Sequence, residues 1–216
     1  MLDKTTTDFG SGLDRYFSTL ASLLKGTEAT DDAKRKMALG DGCEWFRRVA
    51  HEAHNAGNKI IFIGNGGSAG ITSHLAIDFS KNGGLRALAF NDPSALTCLG
   101  NDLGYENVFA KQLEFHARPG DVLIAISSSG KSPNILGAVK EARTRGCKVV
   151  TYSGFSENND LRRTGDVNFY VRGQDKEYGF VEVAHLALCH AVLDIDMGWG
   201  TSWGTGLAKT AKAPAA

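Results

Sequence analysis

Two short loops hold the residues best suited to chemistry. Gly64-Asn65-Gly66-Gly67-Ser68 follows an apolar run. Its glycines let the chain turn tightly and bring backbone N–H groups close to a ligand. Ser68, at the start of the next helix, can cap that helix or bond a phosphate beside the free amides. A dinucleotide fingerprint is excluded because residue 69 is alanine, and a Walker A loop because no Gly-Lys-Ser/Thr stands at the right offset. An anion cradle around Asn65, Gly66 and Ser68 fits these residues, and so does a plain tight turn. In the second loop Ser127, Ser128, Ser129 and Ser132 surround Gly130 and Lys131, again between an apolar run and a helix. Four hydroxyls and the helix-terminal amides can hold a phosphate with little formal positive charge, which suits a small phosphorylated metabolite. A serine-rich cap is the ordinary alternative.

Candidate metal ligands lie on two helices. His74 and Asp78 are four apart directly behind the glycine loop and share a face. Glu182 and His190 are eight apart on the last helix, a little over two turns, and also share a face. Two nitrogens and two oxygens would suit Zn²⁺ or another borderline divalent ion if the helices converge. His185 competes for the same face, and satisfied histidines with an ion pair would explain the same spacing. His51 and His54 read as surface residues, and His116 as a helix-end residue. Asn101-Asp102, between Gly100 and Gly104, is either ordinary turn chemistry or a contact to sugar hydroxyls.

The elements that must position these groups come from hydrophobic periodicity. The chain has 216 residues, 42% hydrophobic and 22% charged, with 24 basic residues against 24 acidic ones. That suits one domain with extra helices and argues against a surface for nucleic acid. Cysteines at 43, 98, 147 and 189 form no CxxC pair and read as free thiols in a reducing compartment. No run of 18 apolar residues and no signal-peptide pattern stands out, so the expectation is a cytoplasmic protein with no membrane span. Helices are expected over 13–24 and from a cap at Asp31 or Asp32 to about residue 54. Strands are expected over 59–63, 86–90, 121–126, 148–152 and 166–171. Helical stretches are expected over 69–81, 93–99, 106–117, 133–145 and 176–196. Apolar strands alternating with helices predict a mostly parallel α/β sheet covered on both faces, with ligand-binding loops at the strand carboxyl ends. Trp199 and Trp203 could pin the start of the glycine-rich tail to a neighbour, ahead of a disordered end.

Gly64-Asn65-Gly66-Gly67-Ser68, Gly100-Asn101-Asp102-Leu103-Gly104-Tyr105 and Ile126-Ser127-Ser128-Ser129-Gly130-Lys131-Ser132 together resemble the sugar-isomerase (SIS) domain proteins, and within them the phosphoheptose isomerase group. The resemblance implies a three-layer αβα sandwich, flavodoxin-like, around a parallel five-stranded sheet with amino-terminal helices. Residues 1–57 would be a helical segment packing on the core and in oligomerisation, 58–197 the SIS domain and 198–216 a tail. It further implies a homotetramer with active sites at subunit interfaces. A sugar phosphate would be held by Asn65, Gly66, Ser68, Asp102, Ser127, Ser128, Ser129, Ser132 and Glu182. One Zn²⁺ per subunit would be held by His74, Asp78, Glu182 and His190, with Asp78 as catalytic base and His190 as its acid partner. Asp78 stands where the group has glutamate and Glu182 where it has glutamine, and the group's arginine shortly after the carboxylate is replaced near Asn82. The implied reaction is aldose–ketose isomerisation of sedoheptulose 7-phosphate. The rivals are isomerisation of another sugar phosphate and a non-catalytic role, as a sugar-phosphate sensor or a tetrameric adaptor of a replication initiator.

Overall fold

The computed structural model describes residues 8–201; the expectations for Trp203 and the end of the tail lie outside the described residues. Helix α1 (Phe9–Lys25) leads to a small hairpin, β1 (Glu28–Asp31) and β2 (Lys36–Met37), and then to α2 (Leu39–Asn55). Strands and helices alternate from there: β3 (Ile60–Gly64), α3 (Gly67–Lys81), β4 (Ala87–Ala89), α4 (Pro93–Leu103), α5 (Val108–His116), β5 (Val122–Ser127) and α6 (Pro133–Thr144). Next come β6 (Lys148–Gly154), β7 (Val167–Val171) and α7 (Tyr178–Asp196).

The seven strands lie in the order β2-β1-β7-β6-β5-β3-β4. The five from β3 to β7 are mutually parallel, in register Ile60 to Val122, Val122 to Lys148 and Val150 to Val167. Counted by themselves they run in the doubly wound order 2-1-3-4-5, whose topological switch point falls between β3 and β5. Alternation along the strands makes three layers. Ile60, Phe62, Val122, Ile124 and Ile126 pack under α2, α3 and α7, whereas Ile61, Ile63, Leu123 and Ala125 pack under α5 and α6.

Two expectations need correction. The sheet has seven strands, not five, because β1 adds antiparallel to the outer edge of β7 through Ala29 opposite Phe169. The second helix starts at Leu39, well after Asp31 or Asp32. Asp31 closes the hairpin turn instead: its carboxylate accepts the Arg35 backbone N–H at 2.8 Å and Arg35 Nε at 2.7 Å. Lys34 takes φ +64° in that turn. Gly42, which weakens α2 as an isolated helix, lies where a Cβ would come 3.1 Å from the Phe169 ring, so its bareness lets α2 sit close on the sheet.

By length and composition α7 could cross a membrane, which the residue runs did not suggest. Its buried face (Val181, Ala184, Leu188, Val192, Leu193) belongs to the core under the sheet, and it carries Glu182, His185 and His190.

Candidate functional site

The site grows from the switch point. β3 ends in the glycine loop and feeds α3 on one face of the sheet; β5 ends in the serine loop and feeds α6 on the other. Between them opens a cleft of about 400 Å³ lined by Asn65, Gly66, Gly67, Ser68, Ser127, Ser128, Ser129, Ser132, Tyr178 and Glu182. All the glycine- and serine-loop residues expected at the site are therefore brought together. Among the described residues no lysine or arginine lines the cleft, and Lys131 lines a neighbouring groove.

Its donors are set by backbone geometry. Gly66 caps α3 at φ +54°, ψ −122°, and offers no side chain to the first turn. The Ala69 N–H donates to the Gly66 carbonyl at 3.0 Å, while the Gly67 and Ser68 N–H groups have no protein acceptor among the described residues and can meet a ligand. Ser127 Oγ lies 3.2 Å from Ser132 Oγ and accepts the Gly130 N–H at 3.2 Å, which ties the serine loop into a tight arch. Ser128 is almost fully buried, and its Oγ has no hydrogen-bond partner among the described residues. A buried hydroxyl left unpaired costs free energy unless something else completes it, so Ser128 is the clearest sign that the cleft takes a polar ligand.

The two loops are latched together. Asn65 and Asn134 exchange amide hydrogen bonds at 2.9 Å in both directions, and the Tyr105 hydroxyl donates to Asn65 Oδ1 at 2.9 Å. Sequence reasoning missed Asn134, and Tyr178 in the cleft wall. Asn134 had a signal, an amide directly after Ser-Pro at a helix start; Tyr178 had none.

Glu182 departs from the expected metal quartet. Its carboxylate lies against Gly67, occupying the space where a Cβ of that residue would stand. Burial pushes its carboxyl above the ordinary glutamate value. Eight residues of helix separate it from His190, about 12 Å along the axis, so it joins the serine cleft and not the cluster near His190.

That cluster has three members. His74 Nε2 lies 3.2 Å from His190 Nε2 and 3.2 Å from Asp78 Oδ2, and His190 Nε2 lies 3.9 Å from the same carboxylate oxygen. Two ligands held at about 2.0 Å by a tetrahedral ion stand about 3.3 Å apart, so two of the three edges match a tetrahedral face and the third is slightly open. Two imidazole nitrogens turned toward one oxygen are a donor set that fits a borderline divalent cation. Asp78 is steadied by its other oxygen, which accepts Asn82 Nδ2 at 3.3 Å. His185, the competing candidate, is wholly buried, with Nε2 3.1 Å from the Ser153 carbonyl oxygen; it is a core residue and not a ligand.

Asp102 lies apart. It is in the last turn of α4 rather than a loop, exposed, with Asn101 Nδ2 on Oδ1 at 2.8 Å, and it does not line the cleft of its own chain.

A doubly wound sheet with a glycine- and serine-lined cleft at its switch point defines the class of open α/β proteins that bind small ligands beyond the strand carboxyl ends. The SIS domain description matches residues 15–154. The chain is 37% identical over 169 residues to the phosphoheptose isomerase of Aliarcobacter butzleri, covering 76% of this chain and 88% of that one. It is 49% identical over 146 residues to that of Solidesulfovibrio magneticus, covering 65% and 62%. Among solved structures, phosphoheptose isomerase GmhA from Neisseria gonorrhoeae superposes with a TM-score of 0.75 at 29% identity, covering 87% of this chain and 98% of that one. The chain belongs to the SIS domain family, in the phosphoheptose isomerase group.

Proposed function

We propose that this protein is a sugar-phosphate isomerase that interconverts sedoheptulose 7-phosphate and D-glycero-D-manno-heptose 7-phosphate. The observation that carries the reading is the cleft with its unpaired Ser128 hydroxyl, less than two turns of α3 from the His74–Asp78–His190 cluster. Ser68 to His74 is six residues of α3, about 9 Å, and an extended seven-carbon chain spans about as much from its phosphate to C1. The first-turn amides of α3 and Ser68, Ser127, Ser128, Ser129 and Ser132 hold the phosphate, with Asn65 fixing the loop. Remote binding energy thereby orients the reacting end.

At that end Asp78 removes a proton from one of C1 and C2 and returns it to the other, while His190 moves the proton between O1 and O2. His74, Asp78 and His190 would hold one Zn²⁺ per subunit, which supplies Lewis-acid polarisation of the carbonyl when bound. Asp78 is one methylene shorter than the glutamate of the group, and the approach of His190 and His74 compensates by keeping its oxygen within 3.9 Å of both rings. Glu182 borders the phosphate end and, being acidic, favours a substrate hydroxyl over a second anion there.

The proposed assembly is a homotetramer with sites between subunits, and the exposed apolar face of α1 supports an interface between copies. Helix α1 has no buried residue, and Phe9, Leu13 and Phe17 are 74%, 50% and 61% exposed. An apolar face of that extent needs cover from a second copy. An assembly that turns Asp102 of one copy toward the cleft of another would bring that residue to the substrate. The proposed location is the cytoplasm.

The test is metal content and sedoheptulose 7-phosphate turnover on one purified sample, before and after chelation. Stoichiometric zinc, with activity lost on chelation and restored by zinc, is the expected result. Zinc without turnover would move the assignment to another sugar phosphate, and neither zinc nor turnover would overturn the isomerase in favour of a sensor or adaptor. Asp78→Asn is expected to abolish turnover while the protein stays folded; unchanged turnover would remove Asp78 as the base.

A further inference from the structure

We infer that a second cleft, at the amino ends of β3 and β5, is a binding site for a nucleoside phosphate. It lies across the sheet from the serine loops and encloses about 500 Å³, somewhat more than the phosphosugar cleft. Volumes of this order take small organic ligands.

Several side-chain polar groups of this cleft are not consumed by the fold. Arg86 and Arg118 line it, and neither guanidinium has a hydrogen-bond or ion-pair partner among the described residues. The Asn58 side-chain amide and the His116 ring also carry no hydrogen bond there. The cleft's carboxylate is already spent: Asp121, fully buried, accepts Lys59 Nζ at 2.6 Å, the Lys59 N–H at 2.9 Å and the Arg118 N–H at 2.8 Å. With Lys59 and Asp121 cancelling each other, two unpaired arginines leave the cleft positive. The aromatic lining supplies the second half of the ligand. His116 lies 6.0 Å from Phe90 and 6.1 Å from the exposed Phe115, ring centre to ring centre, so three rings border the cavity.

Rings and guanidinium groups together fit a ligand that carries a flat heteroaromatic base at one end and a phosphate at the other. Charge also orients it: the phosphate belongs at the unpaired guanidinium groups of Arg86 and Arg118, and the base at the rings of Phe90, Phe115 and His116. Asn58 offers the paired donor and acceptor that reads a base edge. This site shares no lining residue with the phosphosugar cleft, so it stands or falls independently of the isomerase assignment.

The experiment is calorimetric titration of the full-length protein with AMP, adenosine and inorganic phosphate in parallel, repeated on Arg86→Ala, Arg118→Ala, the double variant and Ser128→Ala. AMP is expected to bind saturably, with adenosine and phosphate each at least tenfold weaker. Each arginine variant should weaken AMP about tenfold and the double variant about 100-fold, as loss of one or two charge-assisted hydrogen bonds implies, and Ser128→Ala should change nothing. The His116 ring protons should shift with AMP in NMR spectra of the same samples. The two arginines are exposed, so unaltered melting of these variants is expected and can be checked directly. Absence of AMP binding, equal binding of phosphate alone to the Ser128→Ala protein, indifference to both arginines or loss of AMP binding through Ser128→Ala would each overturn the assignment.

Discussion

His185 makes the protein's stability depend on acidity in a way that can be worked out beforehand. Its ring is fully buried under the sheet, with Nε2 3.1 Å from the Ser153 carbonyl oxygen and Nδ1 unpartnered among the described residues. Burial pushes its pKa from 6.5 down to about 4, so the folded protein keeps the ring neutral where the unfolded chain would protonate it. Above pH 6.5 neither state binds the proton and stability is full. Between 6.5 and about 4 the unfolded chain binds more protons, so stability falls as the pH falls, and below about 4 the loss levels off. From pH 7 to pH 4.5 the share owed to this one group is roughly 2 kcal/mol. Urea unfolding of the wild type and of His185→Gln, at one protein concentration and several pH values, isolates it. Glutamine keeps an N–H for Ser153 but does not titrate. The wild type should lose about 2 kcal/mol more than the variant over that range. Parallel curves for the two proteins would refute the reasoning, because they would mean that the buried ring takes up its proton without unfolding.

Ser128→Ala should leave the melting temperature unchanged or slightly raised, since it deletes a buried hydroxyl that has no partner, while kcat/KM for the sugar phosphate falls about tenfold or more. A drop in both would mean that the hydroxyl has a structural role. Gly67→Ala places a methyl group on the Glu182 carboxylate at the anion end of α3; that carboxylate is the mobile end of a side chain, so the fold should survive. KM should nonetheless rise at least tenfold, and Gly67→Ala with wild-type KM would show that the first turn of α3 does not meet the phosphate.

The cleft was legible in the sequence because both of its loops are local. A glycine or serine cluster directly after an apolar strand-sized run announces its own position, and the parallel sheet brings two such strand ends together at the switch point. The seven-strand count was not legible. Glu28–Asp31 is too short and polar to read as a strand, and becomes one only because β7 leaves an edge for it to pair with. Three members of the expected metal quartet come together and Glu182 stands apart from them. Shared helical phase put Glu182 and His190 on one face, but phase does not say which neighbouring element each of them meets along the 12 Å or so between them. His74, Asp78 and His190 converge because two helices pack at that level, a tertiary fact. The second cleft left no motif either, since Asn58, Arg86 and the pair His116 and Arg118 come from three separate places in the chain.

The latch between the loops has a consequence for the protein's chemical lifetime. Asn65 precedes Gly66, and asparagine before glycine is the pairing most open to spontaneous deamidation, in which the following backbone nitrogen attacks the side-chain amide. Here the amide group is held by Asn134 and Tyr105, which keeps it from turning toward that nitrogen. Were it to react, the resulting carboxylate would lose its donor to Asn134 and set a negative charge beside the amides that await an anion. Ageing of stored protein should therefore show first at Asn82, which is exposed and precedes Gly83, and a later one-dalton mass gain in the peptide holding Asn65 should be matched mole for mole by loss of phosphosugar affinity. The bonds that hold the two loops in register also act as a preservative, and loosening them, as in Tyr105→Phe, should shorten the protein's shelf life before it alters its melting point.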